Sequence, residues 1–322
     1  MERKLAAVIL AAGKGTRMKS SRNKLLHRIL GKEVIRFPVE AAQGAGAEPI
    51  IVVAGPHNIS GFRKIFPKGI QFALQKKALG TAHALRQAEE FLEEFSGDLL
   101  VLVGDSPYIN AELLKELIHH HRETSSSLTL ISSVFQQPPP YGRIIRDEKG
   151  WVIKVVEEID ATEDELKIRE VNSSYYAFRW EEIRPLLPLI KENPKKGEFY
   201  LTDIVEIAYR KGLKTSALRI DDPLLTKGIN TKEDLAEANE YFNRRNIQAL
   251  LESGVSFVSR EDVVVEFGVH VGRDTVIYPF TYLGKGTFVG KNCRIGPFAY
   301  IKGVRVEDGW TLSFVKMVSE DD

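Results

Sequence analysis

Short apolar runs alternate with amphipathic stretches over the first 125 positions of the 322-residue sequence. Four runs have the aliphatic and β-branched content typical of strands buried on both faces, and they span 5–10, 50–54, 70–74 and 99–103. Helical periodicity lies between them, at 34–45, 81–95 and 111–122. Strands that alternate with helices predict an α/β fold, here a Rossmann-like, mostly parallel sheet.

The hydrophobic pattern changes twice beyond residue 125. Residues 128–134 and 150–156 alternate apolar and polar positions and predict further strands, and residues 233–253 form a charged helical stretch. After that stretch an apolar residue recurs every six positions, at Val265, Val271, Ile277, Leu283, Val289, Ile295 and Ile301. A six-residue period predicts a parallel β-helix. Seven hexads, at three to a coil, predict about two coils.

These patterns divide the chain into three predicted parts. Residues 1–230 form the α/β domain, 231–254 a helical connector, and 255–322 a short left-handed parallel β-helix with a C-terminal tail. A stack of so few coils exposes its ends, and repeat units need neighbours to bury a core. Self-association of the repeat is therefore expected.

Composition adds limits on partners and compartment. Lys and Arg number 45 against 44 Asp and Glu, so the formal net charge is +1 and predicts neither a nucleic-acid nor a membrane surface. The single cysteine, Cys293, excludes an internal disulfide and fits a reducing compartment. The first apolar run is too short for a secretory signal or a membrane span, so a cytoplasmic location is expected.

The segment Leu10-Ala-Ala-Gly-Lys-Gly-Thr-Arg-Met18 follows the first predicted strand directly. Its two glycines remove side chains where the backbone bends, and Arg17 and Lys24 bring two positive charges that suit an anionic ligand. It lacks the ending of a Walker loop, and Met18 occupies the place of the third glycine in a dinucleotide fingerprint. A strand, a glycine turn and cations in this order predict a nucleotide site at the carboxyl edge of the sheet.

Two further polar residues lie at predicted element ends. Asp105 follows a buried strand and could bind a metal, or it could cap a helix or a turn, as is common in Gly-Asp-Ser-Pro. Asn230 or Thr231 could cap the following helix, which opens with Glu233 and Asp234.

The glycine segment resembles the signature of the sugar-nucleotide pyrophosphorylases, a family of nucleotidyltransferases. The resemblance continues through Gln75, Leu79–His83, Gly104–Asp105, Tyr141–Ile144, Val156–Glu157, Glu170–Asn172, Gly197–Asp203 and Gly228–Asn230. It therefore covers most of residues 5–235. The implied reaction is uridylyl transfer from UTP to N-acetylglucosamine-1-phosphate, with release of pyrophosphate and with Mg²⁺ as cofactor.

The resemblance also implies a role for individual residues. Arg17, Lys24 and Asp105 would be catalytic, and Asp105 and Asn230 would hold the metal. Nucleotide-binding positions would be Leu10, Ala12, Gly13, Gln75, Gly80 and Thr81, and sugar-binding positions Gly142, Glu157, Asn172, Tyr200 and Thr202. The chain departs from the family pattern at Asn172-Ser-Ser174, where relatives read Asn-Thr-Gly, and at Ile159, which replaces a basic residue.

Other functions stay open at this stage. A pyrophosphorylase for glucose-1-phosphate, dTTP or ATP would share the fold and the chemistry, and a non-catalytic nucleotide-sugar-binding regulator would share the site. Related bifunctional enzymes carry a longer β-helix with acetyltransferase activity. No match to that site is found around His270, so the repeat is expected to be structural and, by resemblance, to form a homotrimer. Two other features, His119–His121 and the Lys195-Lys196 turn, are predicted to be solvent-exposed.

Overall fold

A computed structural model describes residues 3–319 and divides them into two compact units. The N-terminal unit consists of residues 3–26 and Val34–Asn230, and the C-terminal unit of His27–Glu33 with residues 231–319. The hairpin His27–Glu33 therefore departs from the predicted boundary, which placed it in the α/β domain. Within residues 3–319, no helix has the length and apolar character needed to cross a lipid bilayer.

Among the described residues 3–230 there are thirteen strands and seven α-helices. The strands are β1 (Leu5–Ala11), β2 (Arg28–Ile29), β3 (Lys32–Glu33), β4 (Ile50–Ala54), β5 (Gln71–Leu74), β6 (Asp98–Val103), β7 (Leu128–Val134), β8 (Arg143–Arg146), β9 (Val152–Val156), β10 (Glu170–Arg179), β11 (Glu192–Asn193), β12 (Glu198–Phe199) and β13 (Thr215–Ile220). The helices are α1 (Arg36–Gly44), α2 (Ile59–Ile65), α3 (Thr81–Arg86), α4 (Ala111–Glu123), α5 (Glu163–Leu166), α6 (Trp180–Ile183) and α7 (Asp203–Arg210).

One mixed sheet organises the N-terminal unit, with the strand order β13-β7-β10-β6-β1-β4-β5, and with β8 paired to β10 and β9 paired to β8. Strand β1 runs parallel to β4 and β6, and β5 runs parallel to β4. Strand β10 is antiparallel to β6, β7 and β8. The predicted α/β class is confirmed, and the carboxyl ends of β1, β4, β5 and β6 meet at one edge, where such folds bind ligands.

The predicted helix 81–95 is shorter than expected. Its α-helical part ends at Arg86, and a separate 3-10 turn follows at Glu89–Leu92. Ala82, Leu85, Ala88 and Leu92 are all fully buried in the core cluster of the sheet. Because a 3-10 turn can bury the same apolar positions, the hydrophobic spacing alone did not distinguish the two geometries.

The C-terminal unit contains a long helix, α8 (Lys232–Glu252), and eleven short strands among its described residues. The strands are β14 (Ser256–Phe257), β15 (Val263–Val265), β16 (His270–Val271), β17 (Val276–Ile277), β18 (Thr281–Gly284), β19 (Phe288–Val289), β20 (Arg294–Ile295), β21 (Ala299–Lys302), β22 (Arg305–Val306), β23 (Thr311–Leu312) and β24 (Val315–Val318). They form three parallel sheets, β14-β17-β20-β23, β15-β18-β21-β24 and β16-β19-β22. These are the three faces of a parallel β-helix, as predicted.

The β-helix has more coils than the sequence pattern indicated. Two faces carry four strands and the third carries three, which gives between three and four coils over residues 256–318 instead of about two. Pairing joins residues 18 apart in the early coils, as for Val276 and Arg294, but 17 apart for Arg294 and Thr311. It joins residues 16 apart for Ala299 and Val315. The last coil is therefore shortened, and the six-residue period is not readable there.

Two internal columns stabilise the coils. The periodic aliphatic positions form a buried cluster that includes Ile277, Leu283, Val289, Ile295 and Ile301. A second column holds small polar side chains: the Thr275 hydroxyl donates to Gly290 O at 2.9 Å and accepts from Cys293 N at 3.0 Å. Since the buried hydroxyl bonds to a neighbouring coil, its desolvation is compensated.

Candidate active site

A cavity of about 800 Å³ opens at the carboxyl edge of the central sheet. Most of the residues predicted to form a site line it: Leu10, Ala12, Gly13, Lys24, Gln75, Gly80, Thr81, Asp105, Glu157, Tyr200 and Thr202. Four predicted residues are not in its lining. Arg17 and Asn230 are hydrogen-bonded to each other beside it, and Gly142 and Asn172 contact residues that do line it.

A charged cluster forms one end of the cavity. The Lys24 ammonium lies 2.5 Å from Asp105 Oδ2 and 3.1 Å from Asn230 Oδ1. The Arg17 guanidinium donates to the same Asn230 oxygen at 2.8 Å. Two cations, a carboxylate and an amide oxygen therefore converge, and the Lys24 and Asp105 side chains are only 13% and 21% exposed. We call this group the cation cluster.

The local backbone explains how the cation cluster forms. Gly15 adopts φ +66°, and a Cβ there would lie 2.6 Å from Lys24 Cβ, so only glycine lets the turn pass so close to Lys24. Asp105 follows β6, and Gly104 N donates to Leu10 O at 2.9 Å, which joins the ends of β6 and β1. Ile229 N donates to Asp105 O at 2.8 Å and thereby places Asn230 beside the carboxylate.

Neither Asp105 nor Asn230 serves as a helix cap. Asn110 caps α4, because its side chain accepts from Leu113 N at 2.8 Å. Thr231 caps α8 in a reciprocal capping box with Asp234. The side-chain oxygens of Asp105 and Asn230 are therefore directed at Lys24 rather than at helix amides.

The cation cluster offers the oxygen donors that a hard divalent cation prefers. One carboxylate and one amide oxygen are already gathered around a single positive charge, the Lys24 ammonium, so the donor set fits such an ion. Within residues 3–319, no three His, Cys, Asp or Glu side chains are grouped to hold a metal by themselves. An ion here would accordingly take further oxygens from phosphates and water, as Mg²⁺ does with nucleotides.

A second region of the cavity is built from the loop after β5. The Gln75 side-chain nitrogen lies 3.1 Å from Gly80 O and 2.9 Å from His83 Nδ1. Burial lowers the pKa of His83, with Arg86 adding to the effect, so the neutral ring can accept from Gln75. Ala12 and Gly13 lie on the same cavity wall, and a Cβ on Gly13 would meet nothing within 4 Å, which leaves this backbone open to a ligand.

The same loop is joined to the segment 199–202. Gly80 adopts φ +98°, and a Cβ there would lie 2.5 Å from Phe199 O, so this close approach requires glycine. Phe199 N donates to Leu79 O at 2.8 Å, and Leu201 N donates to the Thr81 hydroxyl at 2.9 Å. These contacts hold Tyr200 and Thr202 in the cavity lining.

Carboxylates dominate a third region of the cavity lining. The Thr202 hydroxyl donates to Glu157 at 2.9 Å, and burial raises the pKa of Glu157 despite that bond. Burial, followed by the nearby Glu157 charge, raises the pKa of Asp203 to about 6. Burial and adjacent carboxylates also raise the pKa of Tyr200 to about 12. We call Glu157, Tyr200 and Thr202 the sugar end, after the prediction made for these residues.

Asn172 and Gly142 support the sugar end from behind. Asn172 Nδ2 donates to the Tyr176 hydroxyl at 2.8 Å, and Tyr176 lines the cavity. Asn172 N donates to Gly142 O at 2.8 Å, and a Cβ on Gly142 would come within 2.6 Å of Val155. Asn172 is 4% exposed. The two residues therefore position the wall of the cavity in the described structure.

The departure at Ser174 has a structural consequence. Strand β10 shifts register between Asn172 and Tyr176, and Ser174 adopts φ +62° in that irregularity. A glycine would adopt this conformation without steric cost, whereas serine is strained there. The Asn172 side-chain oxygen compensates in part by accepting the Ser174 N–H at 3.1 Å.

The structure adds residues that the sequence analysis did not select. Tyr176, Glu158, Ile159, Ser174, Lys196 and Glu198 line the cavity, and His57 Nε2 lies 3.3 Å from Gly13 O. Lys195 and Lys196 form an exposed turn as predicted, but Lys196 also lines the cavity. Strands β11 and β12 have only two residues each, so no hydrophobic pattern in the sequence indicates that Lys196 lines the cavity.

The predicted exposure of His119–His121 holds fully only for His119, because His120 is half-buried and His121 is buried. His119 is exposed, but His121 is 1% exposed and lies 2.8 Å from the Thr129 hydroxyl. Burial lowers the pKa of His121 to about 4, although Asp98 opposes the shift. Helix α4 packs on the sheet through Leu114, Leu117 and Ile118, and His121 continues that buried face at the helical spacing.

Comparisons with known proteins match both units. A family model described as nucleotidyl transferase matches residues 6–224, and one described as bacterial transferase hexapeptide (six repeats) matches residues 262–309. A bifunctional protein GlmU from Pelotomaculum thermopropionicum is 45% identical, over 92% of this chain and 72% of the relative. Proteins of the same name from Caldanaerobacter subterraneus subsp. tengcongensis and Geotalea uraniireducens are each 38% identical, over 98% and 96% of this chain and 68% of each relative.

Proposed function

The chain belongs to the nucleotidyl transferase family, and from that premise we propose that it transfers a uridylyl group from UTP to N-acetylglucosamine-1-phosphate. The products are UDP-N-acetylglucosamine and pyrophosphate. The observation that carries the proposal is the cation cluster in a cavity that also holds polar and acidic side chains. The cations suit the phosphates of both substrates, and the polar side chains suit sugar hydroxyls.

The reaction needs no protein nucleophile. A phosphate oxygen of the sugar-1-phosphate attacks the α-phosphorus of UTP in line, and the bond to the pyrophosphate leaving group breaks. The protein has to align the two phosphates and stabilise the charge that develops. Lys24 stabilises charge at the α-phosphorus, and Arg17 holds the triphosphate and the departing pyrophosphate.

We assign Mg²⁺ binding to Asp105 and Asn230, because these oxygens already face the Lys24 ammonium. The bound ion supplies neutralisation of the phosphate charges. Asp105 and Asn230 would hold the ion, and the Lys24 ammonium beside them would contact a bound phosphate.

The remaining predicted residues divide between the base and the sugar. Ala12, Gly13, Gln75, Gly80 and Thr81 read the uracil edge, and Leu10 lies at the strand end beneath it. Glu157 and Thr202 bind sugar hydroxyls, and Tyr200 contacts the sugar, while Asn172 and Gly142 orient this wall. The Leu201–Thr81 and Phe199–Leu79 bonds link the two binding regions, which supports a site that holds both substrates together.

We further propose that the chain acts as a homotrimer assembled through the C-terminal unit, in the cytoplasm. An exposed aromatic ladder supports this assembly: Phe280, Phe298 and Phe314 are 57%, 52% and 76% exposed and stack with ring centroids 5.0 and 5.2 Å apart. Exposed apolar groups of this kind are typical of interaction surfaces.

One assay tests the reaction. Pyrophosphate release is measured from UTP and N-acetylglucosamine-1-phosphate with Mg²⁺, beside a panel with dTTP, ATP and glucose-1-phosphate. The highest kcat/KM is expected for the first pair. A higher value for another pair would identify a different pyrophosphorylase, and tight binding without turnover would identify a regulatory protein. Acetyl transfer from acetyl-coenzyme A to glucosamine-1-phosphate is measured in parallel, and no turnover is expected.

A further inference from the structure

The sugar end of the cavity has an electrostatic problem. Glu157, Glu158 and Glu198 all line the cavity, and Asp203 lies close enough to Glu157 for each charge to disfavour the other. A sugar-1-phosphate carries negative charge and must reach this wall. Apart from the cation cluster, a cation close to these carboxylates would reduce their repulsion of that charge.

Two adjacent lysines in the β11–β12 turn differ in what they contact. The Lys195 ammonium lies 2.9 Å from Asp160 and 2.7 Å from Ile159 O, so its charge is already used. The Lys196 side chain lines the cavity, and no hydrogen bond or ion pair joins it to any residue that the structure describes. Lys24, the other lysine of the lining, is paired with Asp105.

The backbone around Lys196 is held in place. Lys196 N and Gly197 N both donate to Asn193 O, at 3.3 and 2.8 Å, and β11 pairs with β12 through Glu192 and Phe199. Phe199 is in turn bonded to Leu79. The direction of Lys196 toward the cavity thus follows from the hairpin geometry and from the pairing of its neighbour with Asp160.

We propose that the Lys196 ammonium binds the sugar-1-phosphate and offsets the carboxylates of the sugar end during its capture. This inference rests on the proposed function, because it presumes a sugar-1-phosphate as the second substrate. Lys196 contributes to binding of that substrate rather than to the chemical step. The Lys196 ammonium is at the end of a long, exposed side chain, so its contribution to substrate binding depends on ionic strength.

Steady-state kinetics of Lys196→Met test the proposal, since methionine keeps the apolar stem and removes the charge. The KM for the sugar-1-phosphate is expected to rise about fivefold, the scale of one solvent-exposed charge interaction. The kcat and the KM for UTP are expected to stay within twofold. Lys196→Arg is expected to restore the KM, and added salt to narrow the gap between wild type and Lys196→Met.

Lys191→Met is the matched control, because it makes the same charge change on an exposed side chain outside the cavity lining. Its KM values are expected to equal those of the wild type. An active wild type with an unchanged sugar-1-phosphate KM in Lys196→Met would overturn this inference alone, as would an equal rise in the UTP KM. A wild type inactive with every sugar-1-phosphate of the panel would overturn the proposed function and this inference together.

Discussion

The two units of this chain use side chains in opposite ways. In the N-terminal unit, the candidate site residues lie at the ends of strands and around one cavity. They follow no periodic pattern in the sequence. In the C-terminal unit, the same kinds of side chain recur in columns, with Ile277 and Ile295 stacked 18 residues apart. The first arrangement concentrates function in a few residues, whereas the second distributes stability over many.

This contrast predicts different costs for substitutions. Removing one group from the cation cluster should impair the reaction while the fold survives, because the group is partly exposed and acts on developing charge. Removing one aliphatic side chain from a β-helix column should reduce stability, because the cavity left behind cannot be filled by equally packed neighbours.

The largest effect is expected in the cation cluster. Arg17→Ala and Asp105→Ala should each lower kcat by about 10²- to 10³-fold, the range for removing one preorganised charge-stabilising group. Both variants should unfold at close to the wild-type midpoint. The measurement is pyrophosphate release under saturating substrate, together with thermal unfolding.

Arg22→Ala is the control, since Arg22 is an exposed cation beyond the same glycine turn and lines no part of the cavity. Its rate should match the wild type. Folded Arg17→Ala and Asp105→Ala proteins with near-native rates would contradict the proposed roles. They would also contradict the view that a few residues of the N-terminal unit carry its function.

The second effect tests the β-helix column. Ile295 is fully buried, and Ile295→Ala should lower the free energy of unfolding of the C-terminal unit by about 2–5 kcal/mol. Hydrogen exchange followed by mass spectrometry measures the loss of local stability separately for each peptide. Faster exchange is expected across β17, β20 and β23, which form one sheet.

Arg294→Ala is the matched control for that column, because Arg294 is the exposed neighbour in the same strand. A surface substitution of this kind usually changes stability by less than about 0.5 kcal/mol. Equal losses in the two variants would mean that the column does not carry the stability of the unit.

The contrast also explains which features the sequence could predict. Hydrophobic periodicity identified the central strands and the repeat, because both depend on regular burial. It missed the last coil, where the pairing offset falls from 18 to 17 and 16 residues. It also misjudged His121, since one buried histidine at a helix end has no periodic signal distinct from its exposed neighbours.

For the candidate site, the resemblance selected residues by motif and not by position in space. Eleven of those residues line one cavity, and Arg17 and Asn230 lie in its cation cluster. Lys196 could not be selected this way. Its place depends on the hairpin bonds to Asn193 and on the pairing of Lys195 with Asp160, which are tertiary contacts. The functional roles themselves stay predictions until the kinetics are measured.

The smallest effect concerns a partly buried carboxylate of the N-terminal unit, Asp203. The buried Thr275 hydroxyl of the C-terminal unit is neutral, so no comparable pH dependence is expected from it. The pKa of Asp203 is raised from 3.8 to about 6, mainly by burial and then by Glu157. The folded state therefore binds more protons than the unfolded state between about pH 4 and pH 6, so stability falls as pH rises through this window. After discounting for solvent screening, the wild type should lose about 1 kcal/mol more than Asp203→Asn between pH 5 and pH 7.5.

Urea unfolding of both proteins at several pH values measures this difference. The comparison uses the slope with pH, because the asparagine also changes the first turn of α7 and shifts the absolute stability at every pH. Glu157, whose pKa burial also raises, acts in the same direction, so the variant should keep part of the dependence. Parallel profiles for the two proteins would show that ionisation of Asp203 does not lower the stability of the folded state. The charge of Asp203 would then not need to be offset by a cation.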